Sequence, residues 1–176
     1  AQLYTLSNTI ETLLSVLKMK DQHISYKKDL IDLEGLIGSV VENISILYSN
    51  KHFSLSIENR MKTVWVNADP FYLRNSITNL LDNSLRYSNE NVKIEIFLEN
   101  NLDDFSITIK DTGWGISAKL QKKLCKQCCR GVHRNQPKGH GLGLIYTTRV
   151  IRSMGGSIAF QSIEGEGSTF VITLPC

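Results

Sequence analysis

A chain of 176 residues, 41% hydrophobic and 21% charged, is long enough for one compact core with a short appendage and has the balance of a soluble globular protein. Its net charge of +3 is too small to argue for nucleic-acid binding, and no interleaved aromatic stacking pattern accompanies its basic residues. No stretch approaches the ~20 consecutive apolar residues of a membrane span, and no leader-like basic region precedes an apolar run.

In chain order, Leu3, Leu6, Ile10, Leu13 and Leu17 form a narrow helical seam that asks for a partner helix. Polar residues from Lys18 to Lys28 read as a linker. Asp32 is placed to cap a helix in which Leu33, Leu36, Ile37, Val40, Val41, Ile44 and Leu47 make a wide buried stripe. Phe53, Leu55 and Ile57 alternate as in a strand, and Val64 and Val66 as in a short second one. Asp69-Pro70 then gives a strong helix start. That helix carries Ile77, Leu80, Leu81 and Leu85 on one side, with Asn79, Asn83 and Arg86 in a row on another. Strands are expected from Val92 to Leu98 and from Phe105 to Ile109. An irregular stretch is expected from Ile116 to Lys138, then a helix from Leu142 to Met154 stopped by Gly155-Gly156. A last hairpin pairs Ile158 and Phe160 with Phe170 and Ile172 around Gly165 and Gly167. The elements predict an α/β (α+β) two-layer sandwich, a mixed and mostly antiparallel sheet with helices on one face.

Two glycine-rich segments stand out. Asp111-Thr112-Gly113-Trp114-Gly115 sets an acidic side chain at a strand end beside glycines that let a flat ring approach the backbone. Gly139-His140-Gly141-Leu142-Gly143-Leu144 opens a helix with a concavity suited to phosphate. Between Asp111 and Glu164 there is no acidic residue, while Lys119, Lys122, Lys123, Lys126, Arg130, Arg134, Lys138, Arg149 and Arg152 all fall there. Charge so one-sided is what a polyphosphate would select. A magnesium ion holding nucleotide phosphates takes hard oxygen ligands and keeps some waters, so the carboxamide of Asn83, with Asn79 one turn before it, is a candidate metal ligand.

The segments Asn79-Leu80-Leu81-Asp82-Asn83-Ser84-Leu85-Arg86-Tyr87, Asp111-Thr112-Gly113-Trp114-Gly115-Ile116 and Gly139-His140-Gly141-Leu142-Gly143-Leu144 resemble the N, G1 and G2 boxes of sensor histidine kinases of two-component systems. Gly165-Glu166-Gly167-Ser168-Thr169-Phe170 and Leu174-Pro175 resemble that family's closing hairpin. The resemblance spans residues 31–176 and rests on four motifs in the right order. It implies a Bergerat-type ATP-binding fold of the GHKL superfamily, with a long lid over ATP and Mg2+, and a kinase that transfers the γ-phosphoryl group to a histidine. It further implies that residues 1–20 are the second helix of the dimerisation and phosphoacceptor hairpin, residues 21–30 the linker and residues 31–176 the catalytic domain. In the parent, the implied partners are a phosphoacceptor hairpin, a response-regulator receiver domain and a second copy of the kinase.

By the same resemblance, Asp111 would accept a hydrogen bond from the exocyclic amine of adenine. Gly113, Gly115 and Ile116 would border the base, and Thr169 would support its edge through water. Tyr87 would flank the ring and Arg86 would meet phosphate. Backbone amides at Gly139, Gly141, Leu142 and Gly143 would cradle the triphosphate. Arg130, Arg134 and Lys138 are lid candidates for the terminal phosphate, Arg130 and Arg134 in a catalytic role. Asn79 is the third catalytic candidate. Hydrolytic relatives carry a glutamate at its place to deprotonate water, which a carboxamide cannot do, whereas transfer to a nucleophilic histidine does not need that base.

Two departures qualify the implied roles. No histidine here has the acceptor context, His23, His52, His133 and His140 included, so the acceptor is expected on an upstream helix. In the lid, Cys125 and Cys128 stand where the family has two phenylalanines. That leaves a nucleotide-binding regulatory module or pseudokinase as an alternative, and a thiol or zinc sensor using Cys125, Cys128, Cys129 and His133 as a third. The clustered cysteines favour a reducing, cytoplasmic setting, with any membrane anchor of the parent in segments outside this chain.

Overall fold

The computed structural model describes residues 26–60, 65–100, 103–130 and 142–176, the side chains of 125–130 and 142 excepted. The seam of residues 1–20 and the lid residues Arg134, Lys138, Gly139 and Gly141 lie outside the described residues, as does His133.

Strand β1 (Asp29–Asp32) runs straight into helix α1 (Leu33–Leu47). Asp32 caps that helix by accepting a hydrogen bond from the Gly35 amide at 3.1 Å, and Leu33, Leu36, Ile37, Val40 and Ile44 form its buried stripe. The last two residues of the stretch expected as linker thus already belong to a strand. β1 has no clear alternation of its own and exists because it pairs antiparallel with β3 (Trp65–Ala68), a partner distant in sequence.

Helix α2 (Pro70–Arg86) starts as the Asp69-Pro70 signal requires. Asp69 is buried and accepts from the amides of Phe71 (3.0 Å), Tyr72 (3.2 Å) and Lys27 (2.9 Å), so one carboxylate caps the helix and holds the entering chain. Asp69→Ala is expected to cost about 2 kcal/mol, the upper end of a cap loss, because a buried amide is orphaned as well. Urea denaturation measures it, and a loss below about 0.5 kcal/mol would remove the capping role.

The main sheet has the order β2-β4-β5-β7-β6, built from β2 (Phe53–Asn59), β4 (Val92–Asn100), β5 (Asp104–Asp111), β6 (Ser157–Ile163) and β7 (Gly167–Pro175). Only β2 and β4 run parallel, as a connection through α2 demands. Along β4, β5 and β7 the inward series Val92-Ile94-Ile96-Leu98, Phe105-Ile107-Ile109 and Phe170-Ile172-Leu174 is buried against the helices. The other face bears polar and charged residues such as Lys93, Glu95 and Lys110, joined by ion pairs.

Helix α3 (Ala118–Arg130) corrects the expectation of an irregular stretch beginning at Ile116. Its sequence is rich in lysine, leucine and glutamine, good helix formers, and Leu124 is buried one turn after Leu120. Helix α4 (Leu142–Ser153) packs beside α2 and ends where Gly155 takes φ +87° and the Gly156 amide reaches back to the Ile151 carbonyl at 2.9 Å.

Candidate functional site

Strand alternation builds one end of the site. Asp111 continues the inward series of β5 and Ser168 that of β7, and the two are directly paired across the strands. Both side chains therefore face the helices, and Ser84, on the sheet-facing side of α2, meets the Asp111 carboxylate. The Asp111 carboxylate is buried. Its Oδ1 accepts from the amides of Gly113 (2.8 Å) and Ser168 (3.3 Å), and its Oδ2 from the Ser84 hydroxyl (3.1 Å). Burial pushes its pKa above the ordinary carboxylate value, against the opposing pull of those three hydrogen bonds. The group is rigidly oriented, and Oδ2 keeps capacity for one more donor.

The glycines around it are sterically required. A Cβ at Gly113 would stand 2.7 Å from the Tyr87 carbonyl and 2.8 Å from Asp111 Oδ1. Gly115 has φ +67° and a Cβ there would lie 2.0 Å from the Ile163 carbonyl. The chain after β5 is thereby pressed against the end of α2 on one side and the β6–β7 turn on the other.

These elements enclose a cleft of about 190 Å³. Of the residues expected at a site, Asn83, Tyr87, Asp111, Gly115, Ile116 and Gly143 all line it, although they come from three separated stretches of chain. Gly113 sits directly beneath, against Asp111. Asn79 adjoins from the next turn of α2, its carboxamide oxygen 3.3 Å from where a Gly143 Cβ would be, so the two helices that bear the asparagines and the glycine box are in close approach. Leu142 is the first residue of α4 and Arg130 the last of α3, both described as backbone.

Two of the expected residues lie away from this lining. Thr169 does not line the cleft. It is paired with Lys110 on the opposite face of the sheet, and the period of two puts Ser168 at the site instead. Arg86 does not line it either, because its guanidinium is paired with Asp82 at 3.0 Å one turn earlier, and Asp82 also accepts from the Tyr48 hydroxyl at 2.6 Å. The structure adds residues not singled out from sequence: Ser84, Trp114, Leu120, Lys123 and Phe170. Lys123 brings a cation from the basic stretch into the lining, and its place on the inner side of α3 became visible only once that segment was helical.

Among the described residues no group of three or more His, Cys, Asp or Glu is placed to hold a metal ion. Cys125, Cys128 and Cys129 have no described side chains, so the thiol or zinc alternative lies outside the described residues. Also among the described residues, no helix is long and apolar enough to cross a membrane.

Residues 68–176 match the family described as histidine kinase-, DNA gyrase B- and HSP90-like ATPase. The sensor protein EvgS of Escherichia coli O157:H7 is 28% identical over 176 residues, covering 97% of this chain and 15% of that protein. The sensor protein kinase WalK of Staphylococcus aureus is 27% identical over 171 residues, covering 95% of this chain and 41% of that protein. The chain thus spans well under half the length of both relatives. The solved structure of the Acinetobacter baumannii histidine kinase AdeS shares the fold with a TM-score of 0.77, at 20% identity, over 99% of this chain and 80% of that one.

Proposed function

Because this chain belongs to the histidine kinase-, DNA gyrase B- and HSP90-like ATPase family, and within it is the ATP-binding catalytic domain of a sensor histidine kinase, we propose that it binds Mg-ATP in the cleft described above and presents the γ-phosphoryl group to a histidine. The observation that carries this reading is the convergence of Asp111 and Asn83 on one cleft from separate stretches of chain. When bound, the nucleotide supplies the phosphoryl group, and a magnesium ion on its phosphates would neutralise the charge that spreads as that group transfers.

The protein's own residues bind and orient. Asp111 Oδ2, fixed by Ser84, accepts from the adenine amine, while a guanine carbonyl at that place would meet it acceptor to acceptor. Asn83 offers one neutral oxygen to the metal, with no ionised carboxylate among the described cleft residues except buried Asp111. That donor set fits a cation held mainly by phosphate oxygens and water. Asn79 braces the start of α4, where backbone amides face the phosphates, and Lys123 adds positive charge to the lining. Arg130, Arg134 and Lys138 on the lid complete the phosphate end in this reading. The base of hydrolytic relatives is absent at Asn79, which supports phosphoryl transfer over attack by water.

In the parent the transfer goes to an acceptor histidine on a helical hairpin and thence to a response-regulator receiver domain, within a cytoplasmic homodimer. Residues 1–20 belong to that hairpin, 21–30 to the linker and 31–176 to the catalytic domain in this reading.

The test is phosphotransfer. Supplied with an isolated acceptor hairpin of a histidine kinase and labelled ATP, the chain is expected to label its histidine. Binding without labelling would make it a nucleotide-binding regulatory module. Asn83→Ala is expected to weaken ATP binding roughly tenfold with magnesium present and little with EDTA, as loss of a single metal ligand implies. Equal weakening in both conditions would refute the metal role.

A further inference from the structure

Seven large hydrophobic side chains are exposed among the described residues, and only Trp114 and Leu120 of these line the cleft. Trp114 is 50% exposed, yet three hydrogen bonds fix it. Its amide donates to the Tyr87 carbonyl at 2.9 Å, its carbonyl accepts from the Gly165 amide at 2.8 Å, and its indole Nε1 donates to Asn89 Oδ1 at 2.8 Å. On both sides the chain is closely packed, a Cβ at Gly113 or Gly115 falling 2.7 Å or 2.0 Å from a neighbouring backbone carbonyl. The indole is therefore a plate held at the mouth of the cleft by the end of α2, the β6–β7 turn and Asn89, with half its surface in water.

An apolar ring kept wet and immobile costs hydration free energy that burial against a ligand would recover. Because its single polar atom is already satisfied by Asn89, the exposed remainder offers apolar surface alone. Because its rotamer is already fixed, little side-chain entropy is lost when something covers it. The charged end of a nucleotide would be repelled by such a surface. A planar heteroaromatic base would not.

Resting on the nucleotide reading above, we propose that Trp114 is a specificity-determining residue: it forms the outer wall of the base subsite, adding ring contact to the hydrogen bond made by Asp111 and shielding that bond from water. It makes the site selective for a fused planar ring carrying an amine donor, and it contributes nothing to phosphate binding.

The experiment uses the full chain with Trp65→Phe, which leaves Trp114 as the single tryptophan. Saturation with Mg-ATP is expected to shift Trp114 emission to the blue or quench it, with the midpoint found by calorimetry. Trp114→Ala is expected to lower Mg-ATP affinity roughly tenfold, as loss of one base–aromatic contact does, and Trp114→Phe to keep most of it. Inorganic tripolyphosphate, which has no base, should bind wild type and Trp114→Ala alike. Thermal denaturation of both variants checks that the fold persists. If calorimetry shows Mg-ATP binding while Trp114 emission stays constant, or if Trp114→Ala binds ATP like wild type or loses tripolyphosphate equally, the proposed role is wrong and the nucleotide reading stands. If wild type does not bind Mg-ATP, the nucleotide reading itself fails, and this inference with it.

Discussion

Asp111→Asn is expected to lower Mg-ATP affinity on the order of a hundredfold while leaving the fold as stable as before or more so. The substitution is isosteric. The remaining oxygen keeps the two amide donors of Gly113 and Ser168, and the new NH2 group can donate to the Ser84 hydroxyl, which accepts as readily as it donates. What disappears is the acceptor left over for adenine, and a donor then faces a donor. Stability should move the other way. Burial raises the folded-state pKa of Asp111 above 3.8, so the folded state holds the proton over a window in which the unfolded state has released it. The stability this group contributes is present at pH below 3.8 and is lost as pH rises through the folded value. Asparagine has no such loss, so the variant's advantage should widen from acid toward neutral pH. Calorimetry at fixed magnesium and thermal melts across that range measure both effects. Unchanged ATP affinity would remove Asp111 from base recognition, and an advantage that grows toward acid would reverse the linkage.

Gly167→Ala is expected to cost about 3 kcal/mol or more, whereas Gly165→Ala two residues earlier should cost about 1 kcal/mol. Both glycines have positive φ, +127° and +88°. Their surroundings differ. At Gly165 an added Cβ meets nothing within 4 Å, so the substitution carries backbone strain alone. At Gly167 it would lie 2.0 Å from the Asp111 carbonyl oxygen, a contact between two backbones that no rotamer can relieve. Relief requires β7 and the end of β5 to separate where Asp111 pairs with Ser168. The variant should therefore melt roughly 10 °C lower and also bind ATP poorly at temperatures where it is still folded. Equal melting temperatures for the two variants would contradict the packing described at this junction.

Much of the fold is written locally. The two aspartate caps, Asp32 and Asp69, the proline at the start of α2 and the alternation in β4 and β5 each rest on neighbours within a few residues, and each is present in the structure. β1 could not be seen that way, since four residues gain their strand only by pairing with β3. Helix α3 was obscured by its composition: clustered cysteines and lysines read as loop, although the lysines, leucines and glutamines favour a helix.

The candidate site was legible where chemistry and geometry coincide, as at Asp111, whose place at a strand end and between glycines fixes its direction. It was misread where a side chain's face depends on register. Ser168 and Thr169 are adjacent and both hydroxylated, and only the pairing of Asp111 with Ser168 decides which one faces the helices. Arg86 lies in the expected row on α2, yet the nearer anion, Asp82, claims it. Trp114 was within a recognised motif but passed over, because a position between two glycines gives no sign of which surface its side chain will occupy.

A crystal structure of this chain with magnesium and a non-hydrolysable ATP analogue tests the central claim most directly. The expected result places the exocyclic amine of adenine within hydrogen-bond distance of Asp111 Oδ2 and the cation beside the Asn83 oxygen, both in the cleft between α2 and α4. A nucleotide bound elsewhere, or one whose base sits away from Asp111 while the phosphates occupy its place, would contradict it.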